Sequence, residues 1–139
     1  MLETEYSDYW KTVIDSISDG LMIVEPHGMI VAVNKAMEGI TGYSKYELLG
    51  QSCMILDCDL CPSVRAGGDD QYCALFKQGR LSRRKISLRK KDGTLTYVYK
   101  NAVVLRDSTG SIIGGVGTFT DLSEMVAKDQ VITRLRREL

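Results

Sequence analysis

Three β-rich runs separated by two tight turns fill most of the second half of the chain, and they constrain the fold more than any other feature. Ile86 and Leu88 alternate with polar residues, and Asp92-Gly93 follows as a turn signal. Leu95 to Leu105 is dense in β-branched and aromatic residues, Asp107 to Gly110 is a second turn, and Ile112 to Thr120 is a last strand. Runs joined this closely pair as antiparallel neighbours. Gly114, Gly115 and Gly117 lie inside the last run, where glycine weakens a strand and marks a bulge or a close approach to its backbone.

The first half supplies a helix, a hairpin and several short helices. Tyr6, Trp10, Val13, Ile14 and Ile17 recur at helical spacing, which predicts an amphipathic helix over Thr4 to Ile17, ended by Gly20. Leu21 to Val24 and Met29 to Val33 are short apolar runs around a Pro26-His27-Gly28 turn, a β-hairpin pattern. Asn34 stands at a helix N-cap before a short helix that stops at Gly42. Ser44 and Glu47 have capping-box spacing before another, closed by Gly50. Asp70 is placed to cap a helix through Cys73, Leu75 and Phe76 that ends at Gly79. The fold class expected is α+β: a five-stranded antiparallel sheet with short helices on one face and flanking N- and C-terminal helices. The boundaries expected are 1–19 for the N-terminal helix, 20–121 for the domain and 122–139 for a C-terminal helix or linker.

With these residues in this order the chain resembles the PAS domain family. Ser16 to Val24 looks like the family's opening strand, and Gly28 to Ala36 like its second strand with the Asn that follows. Ile40-Thr41-Gly42-Tyr43-Ser44 with Glu47-Leu48-Leu49-Gly50 matches a characteristic run. Lys91-Asp92-Gly93 matches the usual hairpin turn. Asp121-Leu122-Ser123 matches the Asp-x-Thr/Ser element that joins the last strand to an output helix. The resemblance implies a sensory, non-catalytic module that binds a small ligand or cofactor between sheet and helices, or only dimerises. It also implies a covalent output domain C-terminal to it in a longer bacterial protein. The cysteine-bearing stretch followed by Leu75-Phe76-Lys77-Gln78-Gly79 resembles PAS domains ahead of sigma-54-dependent AAA+ activators, and also those of sensor histidine kinases. The signalling junction expected is Asp121, Leu122 and Ser123.

Cys53, Cys58, Cys61 and Cys73 form a C-x4-C-x2-C-x11-C pattern. The Cys58–Cys61 spacing lets two thiolates grip one metal from a tight turn, and four thiolates suit zinc or an iron–sulfur cluster. Three readings stand side by side: a metal or cluster site on all four, a redox-active dithiol, or thiols that pack as small hydrophobes. Gly50-Gln51-Ser52-Cys53 faintly resembles the flavin-binding light sensors of the same family, but Met54 and Phe119 depart from the Arg and Gln usual there. His27, the single histidine, reads as an exposed turn residue.

Eighteen basic and eighteen acidic residues leave a net charge of zero, so this domain is expected to make no direct contact with nucleic acid or membrane. The cluster Arg80, Arg83, Arg84, Lys85, Arg89, Lys90 and Lys91 reads as the solvated face of a strand and its turn. The segment Met1 to Asp8 is acidic rather than basic and then apolar, and no apolar run approaches the roughly 20 residues of a membrane span; a cytoplasmic setting is expected. No catalytic triad or phosphate-binding loop occurs, so no enzymatic activity is expected. Leu122, Met125, Ile132 and Leu139 fall at a/d heptad spacing, with Asp129 and Arg136 at the polar a positions. They predict the seam of a parallel coiled coil in a homodimer.

Overall fold

The structure is a computed structural model that describes residues 2–58, 75 and 79–138, with side chains described from residue 8 onward except 124–127. The fifteen-residue helix α1 (Leu2–Ser16) leads into the hairpin β1 (Gly20–Val24) and β2 (Ile30–Val33). Two short helices follow, α2 (Lys35–Thr41) and α3 (Lys45–Leu48), then a single 3₁₀ turn over Cys53–Leu56. Strands β3 (Arg80–Arg89), β4 (Leu95–Arg106) and β5 (Ile112–Asp121) precede helix α4 (Ser123–Glu138).

The five strands form one antiparallel sheet in the order β2-β1-β5-β4-β3, so the last strand lies at the centre between the first and the fourth. The two tight turns form as their sequences require. Asp92 Oδ1 accepts from Thr94 N–H and Oγ–H, and Asp107 Oδ1 does the same for Thr109, each beside a glycine at positive φ. Hydrogen bonding lowers the pKa of both carboxyls, from Thr94 to Asp92 and from Thr109 to Asp107.

One face of the sheet is the core. Met22, Val24, Ile86, Leu88, Val98, Ala102 and Phe119 point inward from four strands, and Met37, Ile40, Leu48 and Leu56 close over them from the short helices and the 3₁₀ turn. The opposite face leaves Leu95, Tyr97, Val103 and Ile113 exposed. On β3 the ladder slips by one residue between Leu81 and Arg84, a bulge at which Arg83 takes φ +42° and donates its N–H to Asn101 Oδ1. The extra residue restores Leu81 to the core face although its parity differs from that of Ile86 and Leu88. Arg80, Arg83, Arg84, Lys85 and Arg89 stand exposed along this edge strand, where charge discourages pairing with another chain.

Helix ends follow the sequence signals. Ser44 and Glu47 form the capping box of α3, and Gly42 ends α2 at φ +78°. Asn34 caps α2 and does more: Oδ1 accepts from Met37 N–H and Leu21 N–H, while Nδ2 donates to the carbonyls of Ile14 and Asp19. One buried amide therefore ties α1, β1 and α2 together. Gly79, at φ +78°, donates its N–H to the Leu75 carbonyl as the end of a helical turn should. The remainder of the helix expected there, with Asp70, Cys73 and Phe76, lies outside the described residues.

Candidate functional site

The 3₁₀ turn is fastened to the hairpin before it does anything else. Cys53 N–H donates to the Gly28 carbonyl at 2.8 Å, Ile30 N–H to Gln51, and Gly50 N–H back to Ile30. Ser52 caps the turn by accepting from Met54 N–H, and Asp57 ends it in the left-handed region at φ 46°. Asp57 also meets Arg89 Nε at 3.4 Å in an exposed pair of small energetic weight. The result is an arch, hydrogen-bonded to the hairpin, that stands over the inner face of the sheet.

Beneath the arch lies a cavity of about 40 Å³. Cys53 and Cys58 line it from the arch, Leu75 from its helical turn, and Met22, Leu88, Lys100 and Phe119 from the sheet. Cys58 is buried and Cys53 half-buried. The floor is open because β5 carries Gly115 and Gly117 on its inward phase, opposite Val24 and Met22 of β1. A Cβ at Gly117 would stand 3.3 Å from the Phe119 ring and 3.5 Å from Lys100 Cε. The glycines expected to mark a close approach thus make room for the side chains of the cavity.

Lys100 was not among the residues that the sequence pattern singled out. It stands on the inward phase of β4 between Val98 and Ala102, is 8% exposed, and holds its ammonium 5.4 Å from the centre of the Phe119 ring. Among the described residues that line the cavity, it is the only charged one.

Of the four expected cysteines, Cys53 and Cys58 are brought to the same cavity, while Cys61 and Cys73 lie outside the described residues. Among the described residues no group of three or more His, Cys, Asp or Glu forms a metal site. Two thiols on one wall fit half of a thiolate set for zinc or a cluster. His27 is exposed in its turn, its N–H bonded to Glu25 Oε1.

The three residues expected at a junction, Asp121, Leu122 and Ser123, lie at the end of β5 and the start of α4. Asp121 Oδ1 accepts from Ser123 N–H at 2.9 Å and from its hydroxyl at 2.6 Å, fixing the start of α4. Leu122 N–H donates to the Tyr97 carbonyl, and the Ser123 and Thr96 hydroxyls meet at 3.2 Å. The seam expected on α4 needs one correction. Leu122 is 4% exposed and is buried within its own domain, so it anchors the helix and does not stand on a free stripe. Ile132 is 46% exposed, and Leu135, absent from the expected seam, is 53% exposed beside it. The side chains of Met125 and Leu139 lie outside the described residues. Among the described residues no helix is long and apolar enough to cross a membrane.

An antiparallel sheet with its last strand central, an arch of short segments over one face, and a capped exit helix defines an α+β module with one covered sheet face. The chain belongs to the PAS domain family, whose pattern residues 18–124 match. Among solved structures it is similar to the PAS domain of a protein from Colwellia psychrerythraea, at 21% identity and TM-score 0.68 over 86% of this chain and 98% of that one. It is similar to a PAS domain from a two-component sensor histidine kinase, at 15% identity and TM-score 0.68 over 87% and 99%. It is also similar to an RNA-binding light-oxygen-voltage receptor, at 21% identity and TM-score 0.68, covering 94% of this chain but 37% of that protein. At these identities the likeness is one of fold.

Proposed function

We propose that this PAS domain is the sensing element of a sigma-54-dependent transcriptional regulator, and that the cavity beneath the cysteine arch receives the signal. One observation carries the reading: the strand that floors the cavity with Gly115, Gly117 and Phe119 is the strand that ends, two residues later, in the Asp121–Ser123 junction. A change at the arch therefore has a short covalent route to α4. Cys53, Cys58, Cys61 and Cys73 supply the thiolates for zinc or an iron–sulfur cluster, or Cys58 and Cys61 form a dithiol that an oxidant closes; either makes the domain a metal or redox sensor. The domain works in the cytoplasm as a homodimer, its α4 helices paired along Met125, Ile132, Leu135 and Leu139, and it catalyses no reaction itself.

The test is metal analysis and ultraviolet–visible absorbance of anaerobically purified protein, wild type and Cys58→Ser. Stoichiometric zinc or a cluster band that the substitution removes supports the metal reading. Metal-free, colourless protein whose tryptophan and tyrosine fluorescence ignores oxidants would overturn both cysteine readings. A kinase is the alternative output, in keeping with a PAS domain of similar fold from a two-component sensor histidine kinase. The coding sequence that follows Leu139 decides between an AAA+ domain and a kinase.

A further inference from the structure

The basic cluster of β3 meets a second set of cations on α4. Lys85, exposed on the outer face of β3, shares an open groove of about 580 Å³ with Asp129, Gln130, Thr133, Arg134 and Arg137 of the exit helix. We infer that this groove binds a small polyphosphate anion, free or carried by a nucleotide, and that the bound anion clamps α4 to the sheet. The binding is independent of the cysteine arch, whereas the clamp as a regulatory device rests on the reading above that α4 carries the output.

First, the fold brings together cations that lie far apart in the sequence. Arg134 and Arg137, three residues apart, share one helix face, and Lys85 faces them from the strand. Among the described lining residues these three cations stand against one carboxylate, Asp129, in a chain of zero net charge, so the attraction for an anion is local. The ion pairs between described residues, Arg89 with Asp57 and Lys91 with Glu47, lie elsewhere. Second, the donors select the ligand. A guanidinium binds phosphate oxygens two at a time and an ammonium binds them as a point charge. Gln130 adds a neutral donor, while the Thr133 hydroxyl is spent on the Asp129 carbonyl at 2.9 Å. Asp129 opposes any anion, so the ligand favoured is one whose linked charges meet several cations at once. The groove volume falls within the roughly 300–1,000 Å³ of small-ligand sites, which suits an anion of nucleotide size. Third, the place gives binding a consequence. The Lys85 ammonium stands 5.7 Å from the centre of the Tyr97 ring, and the Tyr97 carbonyl accepts the Leu122 N–H that anchors α4. An anion bridging Lys85 to Arg134 fastens the helix again, about 18 Å along its axis from that anchor.

The experiment titrates the ¹⁵N-labelled chain with sodium tripolyphosphate, adenosine triphosphate and sodium sulfate, at constant ionic strength and without divalent cations. Tripolyphosphate should shift the amides of Lys85, Gln130, Arg134 and Arg137 in a saturable way, and sulfate should bind at least about tenfold more weakly because it cannot span the cations. Adenosine triphosphate that binds more tightly than tripolyphosphate assigns a nucleotide as the source; equal or weaker binding assigns the phosphate chain alone. Lys85→Gln and Arg134→Gln should each weaken tripolyphosphate about threefold to tenfold, the range for charge-assisted contacts at an exposed site. Lys11→Gln removes the same charge from an exposed position outside the groove and should change nothing. Sulfate that binds as tightly as tripolyphosphate, or an equal loss in Lys11→Gln, overturns the site. An oligothymidylate that binds more tightly than either phosphate probe overturns the compact ligand and extends the site along the β3 edge. Saturating tripolyphosphate should also slow amide hydrogen exchange over Gln130 to Glu138, and binding without that slowing refutes the clamp. None of these readouts depends on metal or oxidation at the cysteine arch, so the two readings fail separately.

Discussion

Replacing Asn34 should cost far more than a helix cap ordinarily does. The side chain is 1% exposed and makes four hydrogen bonds: Oδ1 accepts at 2.8 Å from Leu21 and 3.1 Å from Met37, and Nδ2 donates at 2.8 Å to Ile14 and 3.0 Å to Asp19. A cap alone is worth about 1 kcal/mol. Asn34→Ala removes all four bonds and strands two N–H groups and two carbonyls, each worth about 1 kcal/mol net and more where water cannot replace it. We expect a loss of about 4 kcal/mol, a large part of the roughly 5–15 kcal/mol that holds a domain folded. Urea unfolding with an unchanged m-value measures it. Asn34→Asp separates the two roles. Aspartate caps a helix as well as asparagine does, but here it sets an oxygen against the carbonyls of Ile14 and Asp19. If Asn34 ties three elements together, the Asp variant is as unstable at neutral pH as the Ala variant. An Asp variant within about 0.5 kcal/mol of wild type, the noise of a surface change, would refute the reasoning and reduce Asn34 to a cap.

Other consequences are as direct. A Cβ at Gly114 would fall 2.5 Å from the Val24 carbonyl oxygen, whereas one at Gly20 meets the mobile ends of Met37 and Ile40 at 2.8 and 2.9 Å. Gly114→Ala should therefore cost about 2–3 kcal/mol in a thermal melt and Gly20→Ala much less; equal losses would contradict the clash. The Glu47 carboxyl is held below its ordinary value of 4.5 by its hydrogen bond with Lys91 and then by the Ser44 N–H. A depressed acid stabilises the fold above its unfolded value and loses that contribution as pH falls through the folded one. The gap between wild type and Glu47→Gln should thus be full at neutral pH and close below pH 4.5, and a gap independent of pH would exclude the pairing. Ile132→Lys with Leu135→Lys should turn the proposed dimer into a monomer in sedimentation velocity with the circular dichroism of the sheet unchanged, and a persistent dimer would place the interface elsewhere.

What the sequence disclosed depends on how local each signal is. Asn34, Ser44, Gly42, Asp92-Gly93 and Asp107–Gly110 act within a few residues, and each forms the cap or turn its chemistry dictates. Lys100 was hidden because β4 is apolar on both faces. Tyr97, Tyr99 and Val103 alternate with Val98 and Ala102, so a period of two says which residues share a face but not which face is inside. The hairpin register, Leu88 opposite Thr96, settles the phase and puts the lysine in the core. Leu81 escaped for a related reason, since the bulge at Arg83 reverses the alternation between it and Ile86. Leu122 fitted a heptad by spacing alone. Its burial follows from the bond between its N–H and the Tyr97 carbonyl, which holds the first turn of α4 against β4.

The burial of Leu122 alters how a signal can leave the domain. With that residue held to β4 through the Tyr97 carbonyl, the proposed signal from the cavity would reach α4 at its anchored end. Phe119 and Lys100 sit opposite each other on β5 and β4, and the exposed Asp121 lies opposite the buried Val98 two residues further along. An occupant that displaces the Phe119 ring therefore acts about 7 Å from the junction, two residues along one strand. Gly115 and Gly117 put no side chain into the core to resist a small rotation of β5. Among the described residues the junction's hydrogen bonds join Asp121 with Ser123, Ser123 with Thr96, and Leu122 with Tyr97. A bias of about 1.4 kcal/mol between two tilts shifts their ratio tenfold, no more than the worth of one or two such bonds. Exchanging a hydrogen bond at the junction is thus energetically sufficient to reset the angle at which α4 leaves the domain. In the proposed dimer the paired Ile132 and Leu135 side chains would feel that angle directly.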